Sequence, residues 1–202
     1  MSPRSVHLRP VVPERVDLAI QPPTPSDAEL VVRARGGDRG AEEVLYRRYA
    51  RYVGGLAARL LGSQGDAEDI LQETFLIAFQ QLASLRDDVA FRAWVAQIAV
   101  SRVRRRYRRR RLLRLFGLVD DEAGMIELAA PGASSEMLAD LALVDAALRR
   151  LPGEQRIAWV LRHVEGYALD EVARAIGCSL ATAKRRIGAA NACVEEHVGG
   201  DR

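Results

Sequence analysis

From Ser26 to His197, wherever apolar residues recur regularly they do so every three to four positions, and no segment alternates with a period of two. That spacing gives one buried face to a helix and none to a strand. The chain is therefore expected to be all-α. The stops and starts between the periodic stretches divide it further. Ser26-Asp27-Ala28-Glu29 is a capping box, and the helix it opens is expected to end at Gly36-Gly37. A second helix is expected from about 40 to 61, closed by Gly62. A third should run from about 66 to 83 or 84, and a fourth from about 88 to 111.

Helical pattern then lapses over 115–134, where Gly, Pro and acids follow one another without period. It returns over 135–150, breaks at Leu151-Pro152-Gly153 and resumes to about 164. Two shorter helices are expected at about 169–176 and 180–197. The predicted organisation is two small helical domains, 26–112 and 135–198, joined by a flexible acidic linker, 113–134. Residues 1–25 hold six of the eight prolines, so that arm is expected to be disordered.

Charge is segregated in the same way. The net charge of +3 is small, but residues 102–114 carry nine Arg and no acid. Residues 115–147 carry seven acids and no base. Repulsion among the arginines would be relieved by a polyanion, with the Tyr107 ring available for stacking. The acidic linker could also fold back to shield them. The longest uncharged stretch, 74–85, is 12 residues and includes Gln80 and Gln81, too short for a membrane span. Two cysteines, Cys178 and Cys193, make no disulfide framework. A soluble, cytoplasmic protein is expected.

Two constellations stand out. In the first, Leu169 to Ile187, Ala173 is small where a second helix must cross. Gly177 supplies a turn that needs positive φ, and Ser179 can cap the next helix. Leu180, Ala183 and Ile187 would face inward and Thr182, Arg185 and Arg186 outward, with Ala181 and Lys184 on the flanks. This is the pattern of a helix-turn-helix whose second helix enters a major groove; the bland competitor is an αα-hairpin with a solvated charged face. In the second, Asp69, Gln72 and Glu73 share one face of the third helix, opposite the stripe Leu71, Phe75, Ala78 and Leu82. On the fourth helix Phe91, Trp94, Val95 and Ile98 read as core, and the stripe fails beyond Val100.

Taken together, Gly65 to Phe75, Phe91 to Ala99, Leu151 to Arg156, His163 to Gly166 and the helix-turn-helix resemble a bacterial RNA polymerase sigma factor of the sigma-70 family. The nearest type is the compact extracytoplasmic-function group, and the resemblance covers about 27–197. It implies that Asp69, Gln72 and Glu73 dock on the β′ clamp of core RNA polymerase, with the second domain near the β flap. It implies that Ser101, Arg104, Arg105 and Arg108 meet the minus-ten promoter element and contribute to its melting. Ser179, Thr182, Lys184, Arg185 and Arg186 would meet the minus-thirty-five element, and an anti-sigma factor becomes a candidate partner. Members often carry Asn where Ser101 stands, and Val or Ile where Ala183 stands.

Other classes fit less well. Asp66, Glu68, Asp69 and Glu73 could hold a hard cation, but no His, Lys or Gly-rich phosphate loop accompanies them. Cys193, His197 and Cys178 make a poor zinc set. No metal, cofactor or catalytic residue is expected, and the chain is read as a dissociable specificity subunit of the polymerase, not an enzyme. A helix-turn-helix regulator acting without polymerase would not require the acidic face, and would usually carry an effector or dimerisation domain.

Overall fold

The computed structural model describes residues 24–62, 64–115 and 135–199. Its elements are α1 (Asp27–Arg35), α2 (Arg39–Leu61), α3 (Gln64–Gln80), α4 (Phe91–Leu115), α5 (Ser135–Arg150), α6 (Gly153–His163), α7 (Leu169–Ala175) and α8 (Leu180–Gly199). Short 3-10 turns at Leu82–Ser84 and Asp88–Ala90 lead from α3 into α4. No strand forms among the described residues. The proline-rich arm, but for its last two residues, and most of the acidic linker lie outside them, and with them the proposed shielding of the arginines.

Local chemistry sets the helix ends. Ser26 Oγ accepts from the Glu29 amide while the Glu29 carboxylate accepts from the Ser26 amide at 2.7 Å. Asp38 opens α2 by accepting from the amides of Gly40 and Ala41. Gly62 closes it in the left-handed region at φ 74°, its N–H on Ala58 O.

Helices α1–α4 pack around Leu30, Leu45, Val53, Leu56, Leu60, Ile70, Phe75, Phe91 and Val95, all buried. Aromatic edges tie three helices together: Tyr46 on Phe75 at 4.8 Å, and Tyr49 on Phe91 at 5.5 Å. The Tyr49 hydroxyl meets the Asp27 carboxylate, and burial with that carboxylate pushes its pKa up to about 12. Helices α5–α8 enclose Leu148, Ile157, Val160, Leu161, Val172, Ile176, Ala183 and Ile187. Trp159 Nε1 donates to Asn191 Oδ1 at 3.0 Å, fixing α6 on α8.

Helix α4 departs from expectation twice. It continues past Arg111 to Leu115, because Leu and Arg are good helix formers and Gly117 is the first breaker. Its inner stripe also continues beyond Val100. Val103 is fully buried, and Tyr107 packs against the core. The arginines leave that face intact by occupying the others. The two units are in contact, with α6 against α2 and α4, and α7 against α4.

Candidate nucleic-acid interface

The helix-turn-helix follows from its small residues. Ala173 is 6% exposed at the crossing, and Gly177 turns the chain at φ 57°. Ser179 Oγ accepts from the Thr182 amide at 3.2 Å and pairs with the Thr182 hydroxyl at 2.9 Å. Ser179 is thus a helix cap first, and the two hydroxyls satisfy each other. Ala183, Ile187 and Ala190 are buried beneath α8. Leu180 is not: it stands 44% exposed at the start of the helix. In the first turn of α8 the chain is still entering from the Gly177 turn, and the buried row begins only at Ala183. The outward face carries Ala181, Lys184 and Arg185, whereas Thr182 is half-buried. Arg186 does not point outward either. Its Nη1 lies 3.1 Å from Glu154 Oε2 on α6, an approach off the hydrogen-bonding line.

On α4 the exposed face is Ser101, Arg105, Arg108, Arg109, Arg111 and Leu112. Arg104 lies off it. Its Nε donates to Glu154 at 3.1 and 3.3 Å, and its Nη1 sits over the turn at Gly177. Arg106 and Arg110 both pair with Asp66 at the start of α3. Part of the repulsion in the arginine block is therefore answered inside the fold. Tyr107 is occupied as well. Its hydroxyl donates to Leu60 O at 2.7 Å and its ring lies against Gly153, so it does not offer a stacking platform.

The acidic face of α3 is where the spacing put it. Asp69, Gln72 and Glu73 are exposed, and the Asp69 carboxylate, 61% exposed, is 3.4 Å from Arg106. One functional candidate was missed. Leu76, seven residues after Asp69, continues this face and is 61% exposed. It fell off the stripe Leu71, Phe75, Ala78 and Leu82, and that displacement was the available signal. Thr74, Ala67 and Ile70 complete the buried side. Between the two helices Ile70, Glu73, Arg102, Arg105, Arg106 and Arg109 line a depression of about 290 Å³, which joins the acidic face to the cationic one. Arg102 Nε is buried there and has no hydrogen-bond partner among the described residues.

A stack of helices with an acidic face, an arginine face and a helix-turn-helix can be compared with known proteins. The family model for Sigma-70 region 2 matches residues 45–112, and that for Sigma-70, region 4 matches 141–190. The ECF RNA polymerase sigma factor SigM of Mycobacterium tuberculosis is 34% identical over 172 residues, spanning 83% of this chain and 82% of SigM. The chain belongs to the ECF sigma factor family. The ECF RNA polymerase sigma-E factor of Haemophilus influenzae is 29% identical over 181 residues, covering 86% of this chain and 95% of its own.

Two solved structures share the fold. The sigma factor RpoE of Bartonella quintana, in complex with the anti-sigma factor NepR, superposes with a TM-score of 0.63 at 25% identity. That match covers 82% of this chain and 99% of RpoE. CnrH, in complex with the cytosolic domain of CnrY, gives 0.60 at 27% identity, over 87% and 99%. Among the described residues of this sigma factor, no helix is long and apolar enough to cross a membrane. The two cysteines stay apart in use: Cys178 Sγ faces the Ser179 carbonyl, while His197 Nδ1 is 2.9 Å from the Cys193 carbonyl.

Proposed function

We propose that this sigma factor directs core RNA polymerase to specific promoters in the cytoplasm and takes part in opening them. The observation that carries the reading is the division of surfaces between α3 and the two cationic helices. Exposed Asp69, Gln72 and Glu73, with Leu76, form the docking face for the β′ clamp. Ser101, Arg105 and Arg108 form the exposed minus-ten face, which Arg104 joins once it leaves Glu154. Ser179, Thr182, Lys184, Arg185 and Arg186 form the minus-thirty-five face, with Lys184 and Arg185 outermost and Arg186 joining on the same terms. An anti-sigma factor is a fitting partner, as NepR is for RpoE of Bartonella quintana. The β flap is the expected seat of the second unit.

Run-off transcription with core polymerase over a library of promoter fragments tests this reading. Defined transcripts that require the protein support it. Sequence-selective DNA binding without retention of core polymerase would instead make the chain a regulator of the helix-turn-helix class.

The two DNA-facing helices should differ in kind. Arg185→Ala removes an exposed side chain able to reach a base edge, so it is expected to cost about 1–3 kcal/mol and relax preference at one or two upstream positions. Arg105→Ala with Arg108→Ala should weaken every promoter alike and flatten the salt dependence by about 0.9 per lost phosphate contact. Binding titrations at several salt concentrations, on matched and mismatched duplexes, separate the two. A changed sequence preference with an intact salt slope in the Arg105 and Arg108 pair would move base readout into α4.

A further inference from the structure

The depression between α3 and α4 is lined by charges that the fold leaves unanswered. Positions 102, 105, 106 and 109 recur at the spacing that puts side chains on one face of a helix, and on α4 all four are arginines. Across the depression of about 290 Å³ they meet Ile70 and Glu73 of α3. Ile70, 1% exposed, makes part of its wall apolar. Arg106 pairs with Asp66 and approaches Asp69. The other three arginines form no ion pair among the described residues, and neither does Glu73. Arg105 and Arg109 are exposed, whereas Arg102 is half-buried. Its Nε is the buried donor that has no hydrogen-bond partner among the described residues. A donor held in that state is costly unless an acceptor reaches it.

We propose that this depression binds a compact anion carrying a diphosphate group, held by Arg102, Arg105 and Arg109. The inference goes beyond the sigma factor reading and needs only the geometry of α3 and α4. A guanidinium fork matches the oxygens of a phosphate, two at a time. Arg102 and Arg109 lie two turns apart, about 10.5 Å along the helix axis, so a single phosphoryl group does not span them and two linked groups do. The volume stands at the lower end of the roughly 300–1,000 Å³ usual for small-ligand sites, which suits a diphosphate and excludes a large ligand taken in whole. Duplex DNA carries its phosphates on a convex backbone. It reaches exposed arginines such as Arg108 and Arg111, not a donor buried between two helices. Glu73 on the facing wall keeps the anion on the α4 side. Arg105 also belongs to the minus-ten face proposed above. On that reading an occupied depression withdraws one of its cations, so ligand and promoter compete.

Titration calorimetry of the full chain with pyrophosphate, at an ionic strength held constant with sodium chloride, should show one saturable site. Arg102→Lys keeps the charge and removes the Nε donor. It should weaken pyrophosphate about tenfold or more, as expected for a lost hydrogen bond to a charged group. Arg109→Gln should weaken it likewise. Arg111→Gln removes the same charge from an exposed position outside the depression and should bind as the wild type does. Circular dichroism checks helix content. If Arg102→Lys loses it, Arg109→Gln, at an exposed position, carries the comparison. Pyrophosphate should also lower wild-type affinity for a fluorescent duplex more than chloride of equal ionic strength, and should not do so in Arg102→Lys.

No saturable binding, equal weakening by Arg111→Gln, or citrate binding as tightly as pyrophosphate overturns the site. So does a loss of duplex affinity in Arg102→Lys when the wild type takes no pyrophosphate, because the depression would then hold a backbone phosphate. Binding that obeys these variants yet leaves duplex affinity untouched keeps the site and takes Arg105 out of the minus-ten face. Run-off transcription is scored separately. Pyrophosphate binding with no transcription from any form keeps the site and removes the sigma reading. Transcription without pyrophosphate binding removes the site alone.

Discussion

Asp69→Arg combined with Glu73→Arg is expected to abolish retention of core RNA polymerase while leaving helix content and cooperative unfolding in place. Both carboxylates project from α3 away from its buried side, which is formed by Ala67, Ile70, Thr74, Phe75 and Ala78. Asp69 is 61% exposed and has Arg106 only at 3.4 Å, so the fold depends little on it; exposed pairs of this kind contribute at most about 1 kcal/mol. Reversing charges that are paired across an interface costs roughly 2–5 kcal/mol, enough to lower affinity by more than an order of magnitude. Glu43→Arg on α2 is the matched control. Glu43 is exposed and, among the described residues, pairs with Arg47 one turn away, so its reversal should leave polymerase retention unchanged. Pull-down of core enzyme by the immobilised variants, alongside circular dichroism, decides the matter. Full retention by the folded double variant would remove the docking face from α3.

Phe91→Ala is expected to have the largest effect on stability. Phe91 is fully buried at the first turn of α4, with the rings of Tyr49 and Trp94 at 5.5 and 6.1 Å. Removing such a ring leaves a cavity and costs about 3–5 kcal/mol, a large part of the ~5–15 kcal/mol that holds a typical domain together. The melting temperature of the first unit should fall by more than about 10 °C. Val89, two residues earlier and 71% exposed, offers a comparison: Val89→Ala should change stability by less than about 0.5 kcal/mol. Thermal and urea unfolding of the three proteins measure this. A loss below 1 kcal/mol for Phe91→Ala would mean that α4 is not anchored through its first turn.

The parts of the fold legible in the sequence are those decided within a few residues. Ser26, Gly62, the Pro152-Gly153 break and Gly177 act through their own backbone and side-chain chemistry, and each stands at the helix end it marks. The acidic face of α3 was legible for a related reason, since a periodic stripe defines its opposite side. What escaped was set by partners distant in sequence. Arg104 and Arg186 looked outward on a helical wheel, yet Glu154, 50 and 32 residues away, draws both inward. Val103 and Tyr107 continue the α4 stripe at three and seven residues past Val100, but the arginines crowded around them hid that period. Periodicity also gave no hint that Arg156 would be among the most buried side chains, because an arginine enters a core only when carbonyls and a carboxylate await it. Leu180 erred the other way, an apolar residue at the helix start before the packed row begins.

The pairing of arginines with carboxylates of the same chain bears on how such a protein finds its target. Nine Arg within thirteen residues would make a strong general ligand for any duplex, and a genome presents on the order of 10⁶–10⁹ competing sites. Arg104, Arg106, Arg110 and Arg186 instead carry Glu154 and Asp66 as resident counterions. Each phosphate that recruits one of them must displace a carboxylate already in place. On the proposed function, indiscriminate sites would thereby be held weak while the exposed Arg105, Arg108 and Arg185 would be available for a first, searching contact. On that reading, the freely diffusing pool would not be drained onto bulk chromosome before polymerase is met.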